Sequence, residues 1–152
     1  MNSRYPEIIV RAIIKNQNKI LLCKSVSKKH SYLPGGHVEV GETPEDALRR
    51  ELNEELGIKI DIMKKIGVLE NRWRQSGEAI QQMHELNIIF IASSGDIEVK
   101  KNPPAREKEL EFFWSELGTL MGAHFMPQNF IPYLSLWLSQ EEKLHFLSLS
   151  SE

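Results

Sequence analysis

Three glutamates at helical spacing are the first residues whose types and positions could do chemistry. Glu51, Glu54 and Glu55 stand at positions i, i+3 and i+4, and a helix would place them on one arc of about 100°. Side chains of like charge at this spacing repel one another, and more strongly when partly buried. A hard divalent cation offsets such repulsion, and Mg²⁺ typically takes one or two carboxylates together with water and substrate phosphates. The spacing therefore indicates half of a metal site that a phosphorylated ligand would complete.

The same three residues have a simpler interpretation. Glutamate-rich helix faces are common, and most of them are only solvated. Arg50 could likewise be no more than the i, i+4 partner of Glu54, an ion pair worth a few tenths of a kcal/mol on a surface. The glutamates alone do not decide between a solvated face and a metal site.

The element that must position these glutamates is the clearest helix of the chain, Thr43 to Leu56. Thr43 can cap it, Pro44 suits the first helical position, and Asp46 completes a T-x-x-D box. Gly57 supplies the stop signal. An apolar stripe at i, i+4 and i+8 gives the helix a buried face: Leu48, Leu52 and Leu56.

The residues around the glutamates follow a longer pattern. The chain reads Gly36, five residues, Glu42, seven residues, Arg50-Glu51-Leu52, one residue, Glu54-Glu55, one residue, Gly57-Ile58. This resembles the Nudix box of the Nudix (MutT-like) hydrolases at all nine defined positions across 23 residues, too many for chance. With the strands on either side and the lead-in Leu33-Pro34-Gly35-Gly36, the resemblance extends over residues 5 to about 140.

The resemblance implies an α/β fold, the Nudix-type α/β/α sandwich around a mixed β-sheet. Residues 1–152 would form a single Nudix domain with the box at 36–58. It also implies hydrolysis of a pyrophosphate bond in a nucleoside diphosphate linked to another moiety, with Mg²⁺ or Mn²⁺ as cofactor. The metal would neutralise the pyrophosphate and lower the pKa of a bound water.

The substrate is less defined than the reaction. ADP-ribose pyrophosphatases tend to carry a proline after the box, and diadenosine polyphosphate hydrolases a tyrosine. Neither marker occurs here, where the corresponding residues are Trp73-Arg74-Gln75-Ser76. A small nucleotide such as a nucleoside triphosphate is therefore favoured. A nucleotide sugar and a non-nucleotide pyrophosphate stay open.

The resemblance also assigns roles by position. The metal ligands would be Glu51, Glu54, Glu55 and the Gly35 carbonyl, while Arg50 would orient the carboxylates through ion pairs. Gly36 would let the backbone approach the phosphates, and Glu42 would anchor the loop to the helix. The general base lies in the box or in a later loop, where Glu107 is favoured over Glu109. The alternative for that loop is a solvated run of alternating charge.

Four residues outside the box could contact substrate. Trp73, between two arginines, could stack on a base. Alternation along a strand puts Glu85 on one face and His84 on the other, and either could reach metal or substrate. His124 precedes the last helix in an uncharged loop that could line a pocket. Each of them could instead be an ordinary core or surface residue.

Strand and helix patterns alternate along the chain, which favours an α/β layered domain. The predicted elements besides the box helix are strands over Glu7–Ile14, Lys19–Cys23, Ile58–Trp73, Met83–Ala92 and Glu111–Trp114, and a second helix over Pro127–Leu138. The last dozen residues give no clear pattern.

Composition limits the remaining possibilities. The chain has 152 residues, 41% hydrophobic and 26% charged, which fits one globular domain. Its net charge of −2 lacks the basic excess of a nucleic-acid binder. The uncharged stretch Leu117–Gln140 is broken by two prolines, so no membrane span is expected. One cysteine, Cys23, allows no internal disulfide.

We therefore expect a cytoplasmic monomer or homodimer whose partner is a small phosphorylated nucleotide. Two alternatives belong to other classes. A non-catalytic Nudix-fold sensor or protein-binding module would usually have lost acidic residues of the box. A structural or calcium-binding acidic helix would bind a cation without turnover.

Overall fold

The computed structural model describes residues 5–151, and in this range the strands and helices follow the predicted alternation. In chain order they are β1 (Glu7–Asn16), β2 (Lys19–Ser25), β3 (Ser31–Tyr32), β4 (Gly35–His37), α1 (Pro44–Leu56), β5 (Asp61–Gln75), β6 (Gln81–Ser93), β7 (Leu110–Glu116), α2 (Ile131–Ser139) and β8 (His145–Ser151). Strand β8 lies in the segment that gave no prediction.

The strands form a mixed sheet in the order β3-β2-β1-β6-β5-β8, with β4 also paired to β1 and β7 to β2. Strands β1 and β6 run parallel, as do β5 and β8, whereas β5 and β6 are antiparallel. Strands β1 and β2 pair only where Lys15 meets Ile20 and Asn16 meets Lys19. The part of the sheet made of β2, β3 and β7 is therefore joined to the rest at one end of β1.

Each face of the sheet carries a hydrophobic core beneath one helix. Alternation along β1 turns Val10, Ala12 and Ile14 towards α1, and Ile13 towards α2. The α1 side buries Ala47, Leu48, Leu52 and Leu56 of the helix. The α2 side buries Phe130, Leu134 and Trp137. The expected α/β/α sandwich around a mixed sheet is thus confirmed.

The ends of α1 match the predicted signals. The Thr43 hydroxyl accepts a hydrogen bond from the Asp46 backbone N–H at 3.1 Å, and Pro44 occupies the first turn. Gly57 ends the helix with φ 68° and donates its N–H to the Asn53 carbonyl at 2.8 Å. A left-handed residue at this position favours glycine.

The second helix begins later than predicted. Gln128–Phe130 forms a 3₁₀ turn, and the α-helix starts only at Ile131. Pro132, which has no N–H to donate, then lies in the first turn, where the missing donor costs nothing. Trp137 packs edge-on against Phe130 at 5.0 Å between ring centroids and stacks on His145 at 5.2 Å. No helix in residues 5–151 is long and apolar enough to cross a membrane.

Shortening Leu52 tests the contribution of the α1 core. Its side chain is fully buried against the sheet, so Leu52→Ala removes transfer energy and leaves a cavity. We expect the free energy of unfolding to fall by about 2–5 kcal/mol in urea titrations. Asn53→Ala, an exposed position on the same helix, is the control and should change little. Equal losses in the two variants would contradict this assignment of the core.

Candidate active site

Arg50 on α1 contacts three acidic residues of the box, Glu42, Glu51 and Glu54. Its Nε and Nη2 donate to the two carboxylate oxygens of Glu42 at 2.8 and 3.0 Å, and Nη2 also reaches the His37 carbonyl at 3.0 Å. Nη1 donates to Glu51 at 2.9 Å and to Glu54 at 3.4 Å. Hydrogen bonds to Glu42, and then to Glu51, raise the pKa of Arg50. The guanidinium thus joins the loop after β4 to the glutamates of the helix.

Glu51 occupies space that only a glycine leaves open. A Cβ added at Gly36 would lie 2.3 Å from the Glu51 carboxylate carbon. The neighbouring Gly35 has φ 148°, and a Cβ there would lie 1.9 Å from the Val10 carbonyl oxygen. The two glycines therefore let β4 pair closely with β1 and let the Glu51 carboxylate lie against β4.

Glu55 is the least compensated of the box carboxylates. Its Oε2 is buried and has no hydrogen-bond partner among the described residues. Burial, followed by the charges of Glu51 and Glu107, raises the pKa of Glu55 to about 8. Glu54 differs, because its side chain is 52% exposed. The helix thus presents one solvated carboxylate beside a half-buried carboxylate, one oxygen of which is buried without a partner.

The loop carrying Glu107 is fastened to the end of α1. The Arg106 backbone N–H donates to the Glu55 carbonyl at 2.7 Å, and its guanidinium reaches the Asn53 carbonyl at 3.4 Å. The Arg106 side chain also fills the space beside Gly57 that a Cβ would need. These contacts hold exposed Glu107 close enough for its charge to act on Glu55.

The site has the chemistry of a hard-cation site, but its glutamates do not converge on one point. In residues 5–151 no three His, Cys, Asp or Glu side chains are grouped so that they could hold a metal ion as they stand. Arg50 draws Glu51 and Glu54 towards itself. The orphaned oxygen of Glu55 and an all-oxygen donor set fit Mg²⁺ or Mn²⁺. Rotation of glutamate side chains would be needed to bring several oxygens onto one ion.

A cavity of about 510 Å³ opens on the α2 side of the sheet. Its sheet-side lining includes Arg11, Leu69, Asn71, Trp73, Glu85 and Asn87. Aromatic groups from other elements also line it: Tyr32, Phe125 and Phe130. Its volume and mixed lining suit a small organic ligand with a few polar groups.

A chain of polar contacts lies along the bottom of this cavity. Arg11 donates to the Leu33 carbonyl at 3.0 Å and to Asn87 Oδ1 at 3.4 Å. Asn87 Nδ2 in turn donates to Glu85 at 3.3 Å and to the Leu69 carbonyl at 3.4 Å. Burial lowers the pKa of Arg11, whereas the charges of Glu85 and Glu55 act in the opposite direction. The charge of Arg11 is therefore offset by one carboxylate at the cavity, Glu85, and by one on α1, Glu55.

The predicted residues outside the box divide between the cavity and its surroundings. Trp73 and Glu85 line the cavity. His84 faces the opposite side of β6, where it contacts Glu70 at 2.9 Å. His124 is exposed and is not among the lining residues; its carbonyl accepts from the Ser31 N–H, and the adjacent Phe125 enters the lining instead.

Several residues of the site and cavity were not singled out from the sequence, among them Arg11, Asn71, Asn87 and Arg106. Arg11 and Asn87 did leave a signal, because each interrupts an apolar strand with a polar side chain. Asn71 left none beyond its place in a long strand, and Arg106 lies in a loop of alternating charge. Their roles depend on contacts between distant segments.

Comparison with known proteins agrees with this architecture. The family model of the NUDIX domain matches residues 6–134. An ADP-ribose pyrophosphatase of Methanocaldococcus jannaschii is 37% identical over 136 residues, which cover 88% of this chain and 75% of that protein. A nucleoside triphosphatase NudI of Escherichia fergusonii is 46% identical over 120 residues, covering 70% of this chain and 79% of the relative. The chain belongs to the Nudix family and is a Nudix hydrolase.

Solved structures agree on the fold. A MutT protein from Methanosarcina mazei Go1 superposes with a TM-score of 0.66 at 21% identity, covering 93% of this chain and 99% of that one. A UDP-X diphosphatase superposes with a TM-score of 0.63 at 23% identity, covering 95% and 68%. At these identities the likeness concerns the fold alone.

The thiol of Cys23 offers a test of the packing beneath the site. Burial, followed by the charge of Glu55, raises the pKa of Cys23 to about 12. A higher pKa leaves less thiolate at a given pH, so near pH 8 the native thiol should react with Ellman's reagent at least about a thousandfold more slowly than the unfolded chain. Guanidinium-unfolded protein is the control. A fast reaction of the native protein would contradict the burial of Cys23.

Proposed function

We propose that this protein hydrolyses a pyrophosphate bond in a small nucleotide, a nucleoside triphosphate being favoured, with Mg²⁺ or Mn²⁺ held by the glutamates of α1. The observation that carries the proposal is the buried, unpartnered oxygen of Glu55, adjacent to the charges of Glu51 and Glu107. A buried carboxylate with no partner is costly to keep ionised, and a bound cation removes that cost. The metal would be held by Glu51, Glu54 and Glu55, with the Gly35 carbonyl as a further ligand.

When bound, the metal would neutralise the pyrophosphate charge and make an attacking water more acidic. The residues of the chain have separate tasks in this proposal. Arg50 keeps Glu51 and Glu54 oriented through its 2.9 and 3.4 Å contacts. Glu42 and the His37 carbonyl hold Arg50 in place from the loop side. Arg11 adds a positive charge to the lining of the cavity.

The bond changes require one proton acceptor. The water oxygen bonds to phosphorus, the bridging P–O bond breaks, and the bridging oxygen leaves with a phosphate group. A carboxylate oxygen takes the proton released from the water. We assign this task to Glu107, because Arg106 fastens its loop to the end of α1 and its exposed side chain can return the proton to solvent.

Two observations favour a nucleotide as the substrate. The cavity combines aromatic walls with the half-buried Trp73, and stacking on an aromatic ring suits any base. The relatives described above, an ADP-ribose pyrophosphatase and a nucleoside triphosphatase, are named for small nucleotides. ADP-ribose and nucleoside triphosphates thus lead the substrates to be assayed, and Gly36 with Trp73 and Glu85 would contact them.

Removing the charge of Glu54 tests the proposed role of this carboxylate in hydrolysis. We expect Glu54→Gln to lower kcat by at least about a hundredfold on the best substrate in a phosphate- and pyrophosphate-release panel with Mg²⁺ or Mn²⁺. The panel contains nucleoside triphosphates, ADP-ribose, nucleotide sugars and dinucleoside polyphosphates. Glu45→Gln, in the first turn of the same helix, is the matched control and should retain activity.

The wild-type protein gives the decisive comparison in that panel. Metal-dependent turnover would support the proposal and identify the substrate class. If no compound is turned over while one of them raises the melting temperature, the proposed hydrolysis is wrong. A non-catalytic nucleotide sensor then describes the protein better.

Adding one methyl group at Gly36 tests the metal site without removing a carboxylate. Gly36→Ala would place a Cβ against the Glu51 carboxylate, whose flexible side chain can swing away. We expect weaker Mn²⁺ binding by electron paramagnetic resonance with little change in melting temperature. Gly95→Ala is the control, since no atom lies within 4 Å of an added Cβ. Unchanged Mn²⁺ affinity in Gly36→Ala would remove Glu51 from the ligand set.

A further inference from the structure

Two polar side chains stand opposite each other at the cavity with most of their hydrogen-bonding capacity unused. Asn71 on β5 and Glu85 on β6 are direct partners in the antiparallel register, and both line the cavity. Cross-strand partners have Cβ atoms about 5 Å apart. Glu85 accepts one hydrogen bond, from Asn87 at 3.3 Å. Asn71 makes no side-chain hydrogen bond to any of the residues between 5 and 151. The pair therefore has acceptors and donors available to a ligand.

The charge of Glu85 restricts which part of a ligand can lie beside it. A carboxylate accepts hydrogen bonds and repels phosphate. Arg11 donates to Asn87, which in turn donates to Glu85, so one guanidinium already lies close to this carboxylate. Phosphates fit the metal that the α1 glutamates would hold. The space beside Glu85 suits a neutral group that carries N–H or O–H donors.

We propose that Glu85 and Asn71 determine base specificity by selecting a nucleobase with adjacent ring and exocyclic N–H donors, as guanine has; this rests on the proposed nucleotide substrate. The two oxygens of Glu85 would accept from the ring N–H and the exocyclic amino group, since a carboxylate offers two parallel acceptors. The Asn71 amide would donate to the neighbouring carbonyl oxygen of the base. Trp73, two residues along the same strand face, would stack on the ring.

Other bases complement this pair less well. Thymine and uracil present one N–H between two carbonyl oxygens, and at least one of these would face the carboxylate. Adenine and cytosine present an amino group beside an unprotonated ring nitrogen. That nitrogen is an acceptor and would face an oxygen of the Glu85 carboxylate, which is also an acceptor. Every base can stack on Trp73, so the hydrogen bonds of Asn71 and Glu85 must distinguish one base from another. Hypoxanthine keeps the ring N–H and carbonyl of guanine and lacks only the amino group.

The test uses dGMP, dIMP and dTMP as probes in nuclear magnetic resonance titrations of the full chain, without metal. We expect the wild-type protein to bind dGMP at least about tenfold more tightly than dIMP or dTMP. In Glu85→Gln, which keeps the shape and loses one acceptor, the dGMP-to-dIMP ratio should fall to within about threefold. Asn71→Ala should weaken dGMP and dIMP alike, because both carry the carbonyl. Glu142→Gln, an exposed glutamate, is the control for charge.

Four other results would contradict the proposal that Glu85 and Asn71 determine base specificity. Equal binding of dGMP and dIMP by the wild-type protein would show that Glu85 does not contact the exocyclic amino group. Equal weakening of all three probes in Glu85→Gln would mean that the carboxylate binds the shared sugar hydroxyl instead. If the wild-type protein hydrolyses nucleotides without such discrimination, this inference fails and the proposed function stands. If no nucleotide is either bound or hydrolysed, both fail.

Discussion

Arg50 supplies the positive charge that offsets the repulsion between carboxylates on and around α1. Its guanidinium contacts Glu42, Glu51 and Glu54 and the His37 carbonyl, so each of its three nitrogens donates to at least one acceptor. Arginine suits this position, because its planar fork of donors stays charged at physiological pH. The contacts leave the buried oxygen of Glu55 uncompensated. Arg50 thus pairs with most of the acidic cluster, whereas, within residues 5–151, the buried oxygen of Glu55 has no positively charged group bonded to it.

The fold brings three distant segments to this acidic cluster. Gly57 ends α1 at the point where the Arg106 backbone donates to the Glu55 carbonyl, which places the Glu107 loop beside the helix. The two glycines of β4 give Glu51 its space on the other side. Behind them, β1 separates from β2 after their short pairing, and the cavity is lined by residues from both parts of the sheet. The sheet topology therefore positions the glutamates of α1, the Glu107 loop and the cavity.

Local signals account for what the sequence predicted well. The cap at Thr43, the leucine stripe and the stop at Gly57 act within α1 itself, so the helix and the spacing of its glutamates were predictable. The start of α2 was not, because a 3₁₀ turn precedes it. Strand β8 was missed as well: Leu147 and Leu149 face the α2 core, but Phe146 just before them is 69% exposed and the rest of the strand is serine and histidine. Arg11, Asn71 and Glu85 become neighbours only through strand register, which no local pattern encodes.

In the proposed function, the two ends of a nucleotide would depend on the cation in different ways. A phosphate beside Glu51, Glu54 and Glu55 would gain from a cation that reduces their repulsion. By linkage, the phosphate would then raise the affinity for the cation by the same factor. At the Asn71–Glu85 pair in the cavity, a neutral base would make hydrogen bonds whose strength depends little on the cation, because a neutral group has no net charge for the cation to act on. Base selection and cation binding would therefore be separable free energies, with the phosphate as the group that couples to the metal.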